Sequence, residues 1–136
     1  MAISTPQQEI KVGSKLVLDV SWTNRSGKKV ATGMPGAINP IYIYKIIVLD
    51  EGGKMPPRTS EGRNVVDHDP GIILGNAPIG PVESVPHIDL EDGESVREHI
   101  TITDLFNLSA GKYTIQFERG DKTVVKSNVL AITVAP

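Results

Sequence analysis

A two-residue periodicity limits how this chain can fold more than any other feature of its sequence. Between residues 16 and 23 apolar and polar side chains alternate strictly, and the apolar ones are Leu16, Leu18, Val20 and Trp22. Residues 96–103 show a similar alternation, with Val96, Ile100 and Ile102 on one face. Alternation of this kind is typical of a strand with one buried face. It predicts a chain built from half-buried β-strands.

The C-terminal third of the chain extends this pattern over three segments. Residues 93–103, 111–118 and 123–134 are rich in β-branched and aromatic residues, and polar or glycine-containing connections separate them. Asn, Asp, Ser and Gly favour the tight backbone geometry of turns. We therefore predict three successive strands here, within an all-β chain that folds as an antiparallel β-sandwich.

Residues 41–49 form the most apolar segment. Both of its faces carry apolar side chains, which predicts a strand that needs cover on both sides. Regular patterning then ends between residues 54 and 85, where proline and glycine recur. A connection this long in a compact domain is usually a functional or a disordered loop. We expect this insertion to cover the outer face of the 41–49 strand.

Composition limits the class of protein. A chain of 136 residues predicts a single domain over residues 1–136. The formal net charge is -2, so no overall field attracts nucleic acid or an anionic membrane. The absence of cysteine excludes a disulfide scaffold and a thiolate metal site. No apolar run reaches the roughly 20 residues that span a bilayer, so no membrane insertion is expected.

The N-terminal segment does not decide the compartment. Residues 1–6 contain neither the basic region nor the apolar region of a signal peptide, and we expect them to form a loose terminus. Two interpretations stay open: a cytoplasmic chain, and an extracytoplasmic chain whose signal peptide is absent from this sequence.

Residues 108–117 carry a resemblance to a known fold family. In the run Gly111-Lys112-Tyr113-Thr114 a glycine precedes a tyrosine at the start of a predicted strand. This run resembles the E–F corner of immunoglobulin-like and fibronectin type III-like domains, where the tyrosine hydroxyl bonds back to the corner's backbone. The resemblance implies an Ig-like sandwich with Tyr113 as a structural residue. The cysteine pair of antibody domains is absent, and Trp22 lies on an early strand.

The layout is also similar to BsuPI-type intracellular proteinase-inhibitor domains of bacteria. The similar features are the strand end at 21–24, the turn at 49–54, the strand entry at 90–95 and the corner at 111–114. This resemblance implies the same sandwich fold and, as an alternative function, proteinase inhibition through the 54–85 loop.

The densest polar cluster in the sequence lies inside that loop. Asp67, His68 and Asp69 offer two carboxylates and an imidazole, which are ligands for a divalent cation. His87 and Asp89 would join them if the loop folds back. The alternative is a solvated turn in which Asp69 bonds to its own backbone before Pro70. The spacing matches no established metal motif, and we expect neither a metal nor a cofactor.

Two tyrosines provide the candidate binding surface. Tyr42 and Tyr44 lie on one face of the 41–49 strand, and tyrosine combines apolar area with a hydroxyl group. Together with the 54–85 loop they would form a contact surface for a ligand or a protein. The alternative is that the loop covers both rings.

These features predict a non-enzymatic interaction or accessory module, which the resemblance implies for an exported bacterial protein. It would bind an unknown protein partner through loops or an edge strand, and the last strand is a candidate for strand addition. We expect a monomer or a weak homodimer. No nucleophile motif or phosphate-binding glycine motif supports an enzyme.

Overall fold

The computed structural model describes residues 1–34, 44–62, 87–119 and 124–136. Within these ranges the chain is all-β, which confirms the prediction of an all-β chain. Its strands, in chain order, are β1 (Ala2–Ser4), β2 (Glu9–Lys11), β3 (Val17–Thr23), β4 (Val30–Gly33), β5 (Lys45–Asp50), β6 (His87–Leu90), β7 (Ser95–Thr101), β8 (Gly111–Arg119), β9 (Val125–Lys126) and β10 (Leu130–Ala135). One 3-10 helix follows β7 at Ile102–Asp104. No helix in these ranges is long and apolar enough to cross a membrane.

The strands form three sheets. A three-stranded antiparallel sheet has the order β1-β3-β7. A five-stranded sheet has the order β2-β10-β8-β5, with β9 also paired to β8. All its pairs are antiparallel except β2 with β10, which run parallel. Strands β4 and β6 form a separate antiparallel pair.

The alternating strands bury their apolar faces in one core. Leu18, Val20 and Ile100 of the three-stranded sheet belong to the same buried cluster as Ile115 and Phe117 of the five-stranded sheet. Burying a large apolar side chain stabilises the fold by about 1.5–3 kcal/mol relative to leaving it exposed. The two-residue periodicity of the sequence therefore selects which side chains supply this core.

The N-terminus is a strand, so the prediction of a loose terminus is wrong. β1 pairs with β3, and Ile3 at its centre is buried. The Asn128 side chain holds its other edge: Oδ1 accepts from the Ile3 amide at 2.9 Å, and Nδ2 donates to the Ile3 carbonyl at 3.0 Å. A side-chain amide offers the same donor and acceptor as a peptide group, so Asn128 replaces a neighbouring strand.

The segment 123–134, which the sequence predicts as one continuous strand, contains two strands, β9 and β10. Leu130 lies opposite Ile115 and Lys126 opposite Glu118, so residues 127–129 face only two residues of β8. One extra residue of this kind is a β-bulge. The Ser127 hydroxyl accepts from the Phe117 amide at 2.9 Å and so satisfies a backbone donor at the irregularity.

Strand β10 has both of its edges occupied, which corrects the expectation that the last strand is open for strand addition. It pairs with β8 on one side and with β2 on the other. Among the described strands, β2 is the one at this edge of the sheet.

A buried asparagine connects two neighbouring turns. Asn24 is 1% exposed, and its Nδ2 donates to the carbonyls of Lys28 at 2.7 Å and Leu90 at 3.0 Å. Its Oδ1 accepts from the Ser26 amide and hydroxyl. Residues 24–26 match a glycosylation sequon, but this side chain has its amide hydrogens engaged inside the protein.

The chain crosses between the two larger sheets at residues 102–110, hereafter the connector, because β7 and β8 lie in different sheets. The Tyr113 hydroxyl donates to the Ser109 carbonyl at 2.8 Å and lies 3.3 Å from the Ser109 hydroxyl. The tyrosine side chain is buried. It therefore ties the end of the connector to the start of β8, as the sequence predicts for Tyr113.

We expect Tyr113→Phe to lower the free energy of unfolding by about 1 kcal/mol, because it removes one partly buried hydrogen bond and leaves the ring in place. Urea denaturation at neutral pH measures the change. The control is Ser109→Ala, which keeps the carbonyl acceptor and is expected to be nearly neutral. An equal loss in both variants would contradict the assigned hydroxyl-to-carbonyl bond.

Candidate functional site

Two charged residues point into the protein from different sheets. On β7 the alternation of Val96, Glu98 and Ile100 places Glu98 between two buried positions. On β8 Arg119 continues the buried face of Ile115 and Phe117. A carboxylate and a guanidinium group therefore face inward, where charged side chains are rare unless they find partners.

Arg119 is the centre of what we call the polar cluster, formed with Trp22, Thr32, Tyr44 and Glu98. Its guanidinium carbon lies 4.3 Å from the Trp22 ring centroid and 5.7 Å from that of Tyr44. The guanidinium also donates a hydrogen bond to the Thr32 hydroxyl. A cation over an aromatic face is stabilised by about 0.5–2 kcal/mol. Arg119 thus connects β8 to β3 and β4.

Tyr44 is the most deeply buried aromatic residue of this cluster and is 3% exposed. Its ring lies 5.6 Å from the Phe117 ring and 5.7 Å from the Arg119 guanidinium carbon. Burial and the negative charge of Glu98, against the opposing positive charge of Arg119, together raise the pKa of Tyr44 to about 12. The hydroxyl therefore stays protonated and neutral at physiological pH.

Glu98 is the least satisfied member of the cluster. Burial raises the pKa of its carboxyl group, against the opposing effects of the Tyr44 hydrogen bond and the Arg119 charge. Its Oε1 atom is sealed from solvent, and no group in the described part of the chain hydrogen-bonds to it. A buried acceptor without a partner is costly, so the charged form of Glu98 opposes folding.

Tyr44 therefore belongs to the interior, which corrects its assignment to an exposed contact surface. Tyr44 lies immediately before β5, and its ring packs against Phe117 and Arg119 instead of facing solvent. Tyr42, the other member of the predicted surface, lies outside the described residues.

The predicted metal ligands Asp67, His68 and Asp69 also lie outside the described residues, so that site stays a prediction. Within the described ranges no group of three metal-binding side chains comes together. Asp89, a candidate fifth ligand, lies on β6, where its carboxylate is 3.8 Å from the Lys29 ammonium group.

A cleft of about 560 Å³ opens at the end of the protein where the connector runs. One wall contains the end of β2 and the following turn, including Lys11 and Lys15; the other contains connector residues such as Phe106 and Leu108. We call it the connector cleft. Its size falls within the usual range for binding pockets, about 300–1,000 Å³.

The first part of the 54–85 loop is bound to the connector. The Thr59 amide donates to the Leu105 carbonyl at 3.0 Å, and the Asn107 amide donates to the Pro57 carbonyl at 2.7 Å. Gly62 lies so close that an added Cβ would be 2.1 Å from the Leu105 oxygen. The described part of this loop thus packs on the connector, whereas the sequence suggested the outer face of the 41–49 strand.

The wall of the cleft formed by β2 is an open sheet edge. The Gln8 carbonyl accepts from Thr133, and the Val12 amide donates to Ala135, so the backbone groups of even-numbered residues face β10. Those of Glu9 and Lys11 therefore face away, since successive residues of a strand alternate. The Lys11 carbonyl accepts from the Ser14 amide at 3.0 Å. The described residues contain no second strand beside β2.

Two features of these sites were missed at the level of sequence. The inward positions of Glu98 and Arg119 could have been predicted from the alternation, because each residue lies two positions from a buried apolar residue. The open edge of β2 could not be predicted from the sequence, because it depends on which distant strand pairs with residues 9–11.

Comparison with known proteins finds no family model, no curated protein and no solved structure that matches the chain. Function is therefore inferred from the geometry described above.

We expect Glu98→Gln to change how stability depends on pH. Because burial raises the pKa of Glu98, the folded state holds this proton more tightly than the unfolded chain. This tighter proton binding stabilises the folded state. The stabilisation is fully present below the unfolded pKa of about 4.3 and is lost as pH rises through the raised pKa of the folded state. As pH rises through this range, the free energy of unfolding should fall less for the Glu98→Gln variant than for wild type. At pH 7 it should be higher for the variant.

Urea denaturation between about pH 4 and pH 7 measures this difference, with Glu51→Gln on an exposed turn as the matched control. A Glu98→Gln variant that is less stable than wild type by the same amount at every pH would contradict the account. That result would mean that the Arg119 and Tyr44 contacts outweigh the cost of burial.

Proposed function

We propose that this chain is a non-enzymatic Ig-like β-sandwich module that binds a protein partner through the connector cleft and the open edge of β2. The observation that supports the binding role is that one edge of β2, which pairs with no strand of the described ranges, lies at the same end of the protein as the cleft.

The order of the strands supports the Ig-like assignment. In Ig-like sandwiches strands B and E share one sheet, strands C, F and G share the other, and the chain crosses between sheets before F. Here β3 pairs with β7, while β8 lies between β5 and β10. The bond from Tyr113 to Ser109 occupies the position of the tyrosine corner. The separate β4–β6 pair is a departure from the simplest pattern.

The open edge supports a role in binding. Unpaired amide and carbonyl groups at a sheet edge are a template for another extended chain, and many domains bind peptides in this way. The predicted surface at Tyr44 is unsuitable for the same role because that ring is buried. We therefore propose β2, and not the 41–49 strand, as the binding surface.

A second candidate, proteinase inhibition through the 54–85 loop, is favoured by one observation. The hydrogen bonds of Pro57 and Thr59 to the connector fix the first end of this loop, and a fixed loop binds with a smaller loss of conformational entropy. Titration against a panel of serine and cysteine proteinases tests it. Absence of inhibition at micromolar concentration would eliminate this candidate.

We expect panning of a phage library of random peptides on the folded chain to enrich peptides that bind at the connector cleft. Amide chemical shifts in NMR spectra should then change over residues 9–15 and 103–109. The internal control is the outer face of the three-stranded sheet, around Asp19 and His99, where no change is expected. Enrichment of no peptide, or shift changes confined to other surfaces, would overturn the proposed function.

A further inference from the structure

We infer that the partner of the open β2 edge is a second copy of this chain, which adds its own β2 in antiparallel orientation about a two-fold axis beside Ile10. This inference rests on the proposed function and deepens it, because it names the partner of this edge and the register of the pairing. The observation that carries it is the charge order of β2, Glu9-Ile10-Lys11, which is complementary to itself when the strand is reversed.

The backbone of β2 permits this pairing. The amides and carbonyls of Glu9 and Lys11 face the open edge, whereas the backbone groups of even-numbered residues face β10. In an antiparallel pair, two residues whose backbone groups face each other exchange both hydrogen bonds. Lys11 of each copy would therefore donate to the Glu9 carbonyl of the other. The Lys11 carbonyl accepts from the Ser14 amide at 3.0 Å, and its second lone pair can accept from Glu9 of the other copy.

The charges select one register for the pairing. Glu9 and Lys11 are exposed on one face of β2, and Ile10 between them is buried on the other. With the axis beside Ile10, Glu9 of each copy lies directly opposite Lys11 of the other, and opposite charges at such positions stabilise a strand pair. Slipping the strands by two residues would place Glu9 opposite Glu9, or Lys11 opposite Lys11, and like charges at these positions are destabilising.

The same axis is compatible with the fold of each copy. A two-fold axis perpendicular to the sheet leaves every side chain on its own face, so Ile10 of both copies stays on the core side. The two Glu9–Lys11 pairs then lie together on the outer face. The sheets that end in β2 would join into one continuous sheet across the dimer, and no core side chain has to turn toward solvent.

A partner with charges of one sign fits this edge less well. Glu9 and Lys11 lie beside the connector cleft, whose lining includes Lys15 and Asp104, so the described charges at this edge balance. An acidic or a basic segment would therefore meet like charges as well as opposite ones, which selects against it. Neither Glu9 nor Lys11 forms an ion pair with another residue of the described ranges, so both charges are available to a second copy.

The contact between two such strands is small, because β2 has only three residues. Interfaces that bury less than about 1,200 Å² are typical of weak, transient complexes. We therefore expect a dimer with a dissociation constant of about 0.1–1 mM. Sedimentation velocity of the full chain, at protein concentrations from about 10 μM to about 1 mM, should show a monomer at the low end and a growing dimer fraction toward the high end.

Charge exchange between the two positions tests the register. Glu9→Lys and Lys11→Glu each leave two like charges on the edge, and each variant alone should dimerise about tenfold more weakly than wild type, or worse. An equimolar mixture of the two variants places opposite charges at both pairs, so it should associate at least as tightly as wild type. The double variant Glu9→Lys/Lys11→Glu should also dimerise like wild type. The matched control is Glu51→Lys, which makes the same charge change on an exposed turn and should leave dimerisation unchanged.

Amide hydrogen exchange identifies the surface that associates. In the monomer the amides of Glu9 and Lys11 exchange rapidly, and at high protein concentration their exchange should slow in proportion to the dimer fraction. Three results would overturn the inference: a chain that stays monomeric to about 1 mM, a dimer that leaves these two amides unprotected, and a variant mixture that associates no better than either variant alone. Each leaves the proposed function standing if panning enriches peptides that bind at β2. A monomeric chain that enriches no peptide overturns both.

Discussion

The rest of the structure depends on how the connector crosses from one sheet to the other. The crossing brings β8 into the five-stranded sheet, where it contributes Ile115 and Phe117 to the core. The hydroxyl of Tyr113 fixes the end of this crossing on the Ser109 carbonyl. The connector also binds residues 57–62 and forms one wall of the cleft. Its position therefore determines both the core and the proposed binding surface.

A second polar arrangement lies at the other end of β8. Tyr113 is near the start of that nine-residue strand and Arg119 is its last residue, so roughly 20 Å separates them at about 3.4 Å per residue. Between the two, the inward side chains are apolar. The Tyr113 contact is fully bonded, whereas the polar cluster contains the unpartnered Oε1 of Glu98. The two ends of the strand thus differ in how well their polar groups are satisfied.

Much of this fold was predictable from local sequence, because a half-buried strand shows its inward face as alternation. That rule located β3, β7 and β8, and the residues around Tyr113 indicated the corner. The rule fails where pairing between residues distant in sequence decides whether a segment becomes a strand or a side chain is buried. Residues 2–4 are a strand because Asn128, more than a hundred positions away, completes their hydrogen bonding. Likewise Tyr44 is interior because Arg119 and Glu98 come from other strands, and the free edge of β2 depends on its pairing with β10.

Amide hydrogen exchange of the free wild-type protein tests most directly whether the connector binds residues 57–62 and whether the edge of β2 is open, because it reports which backbone donors are bonded. The account predicts that Thr59 and Asn107, which donate to Leu105 and Pro57, exchange slowly, as core strand amides do. It also predicts that Glu9 and Lys11 exchange rapidly because their amides face an open edge. Rapid exchange at Thr59 and Asn107 together with protection at Glu9 and Lys11 would contradict it.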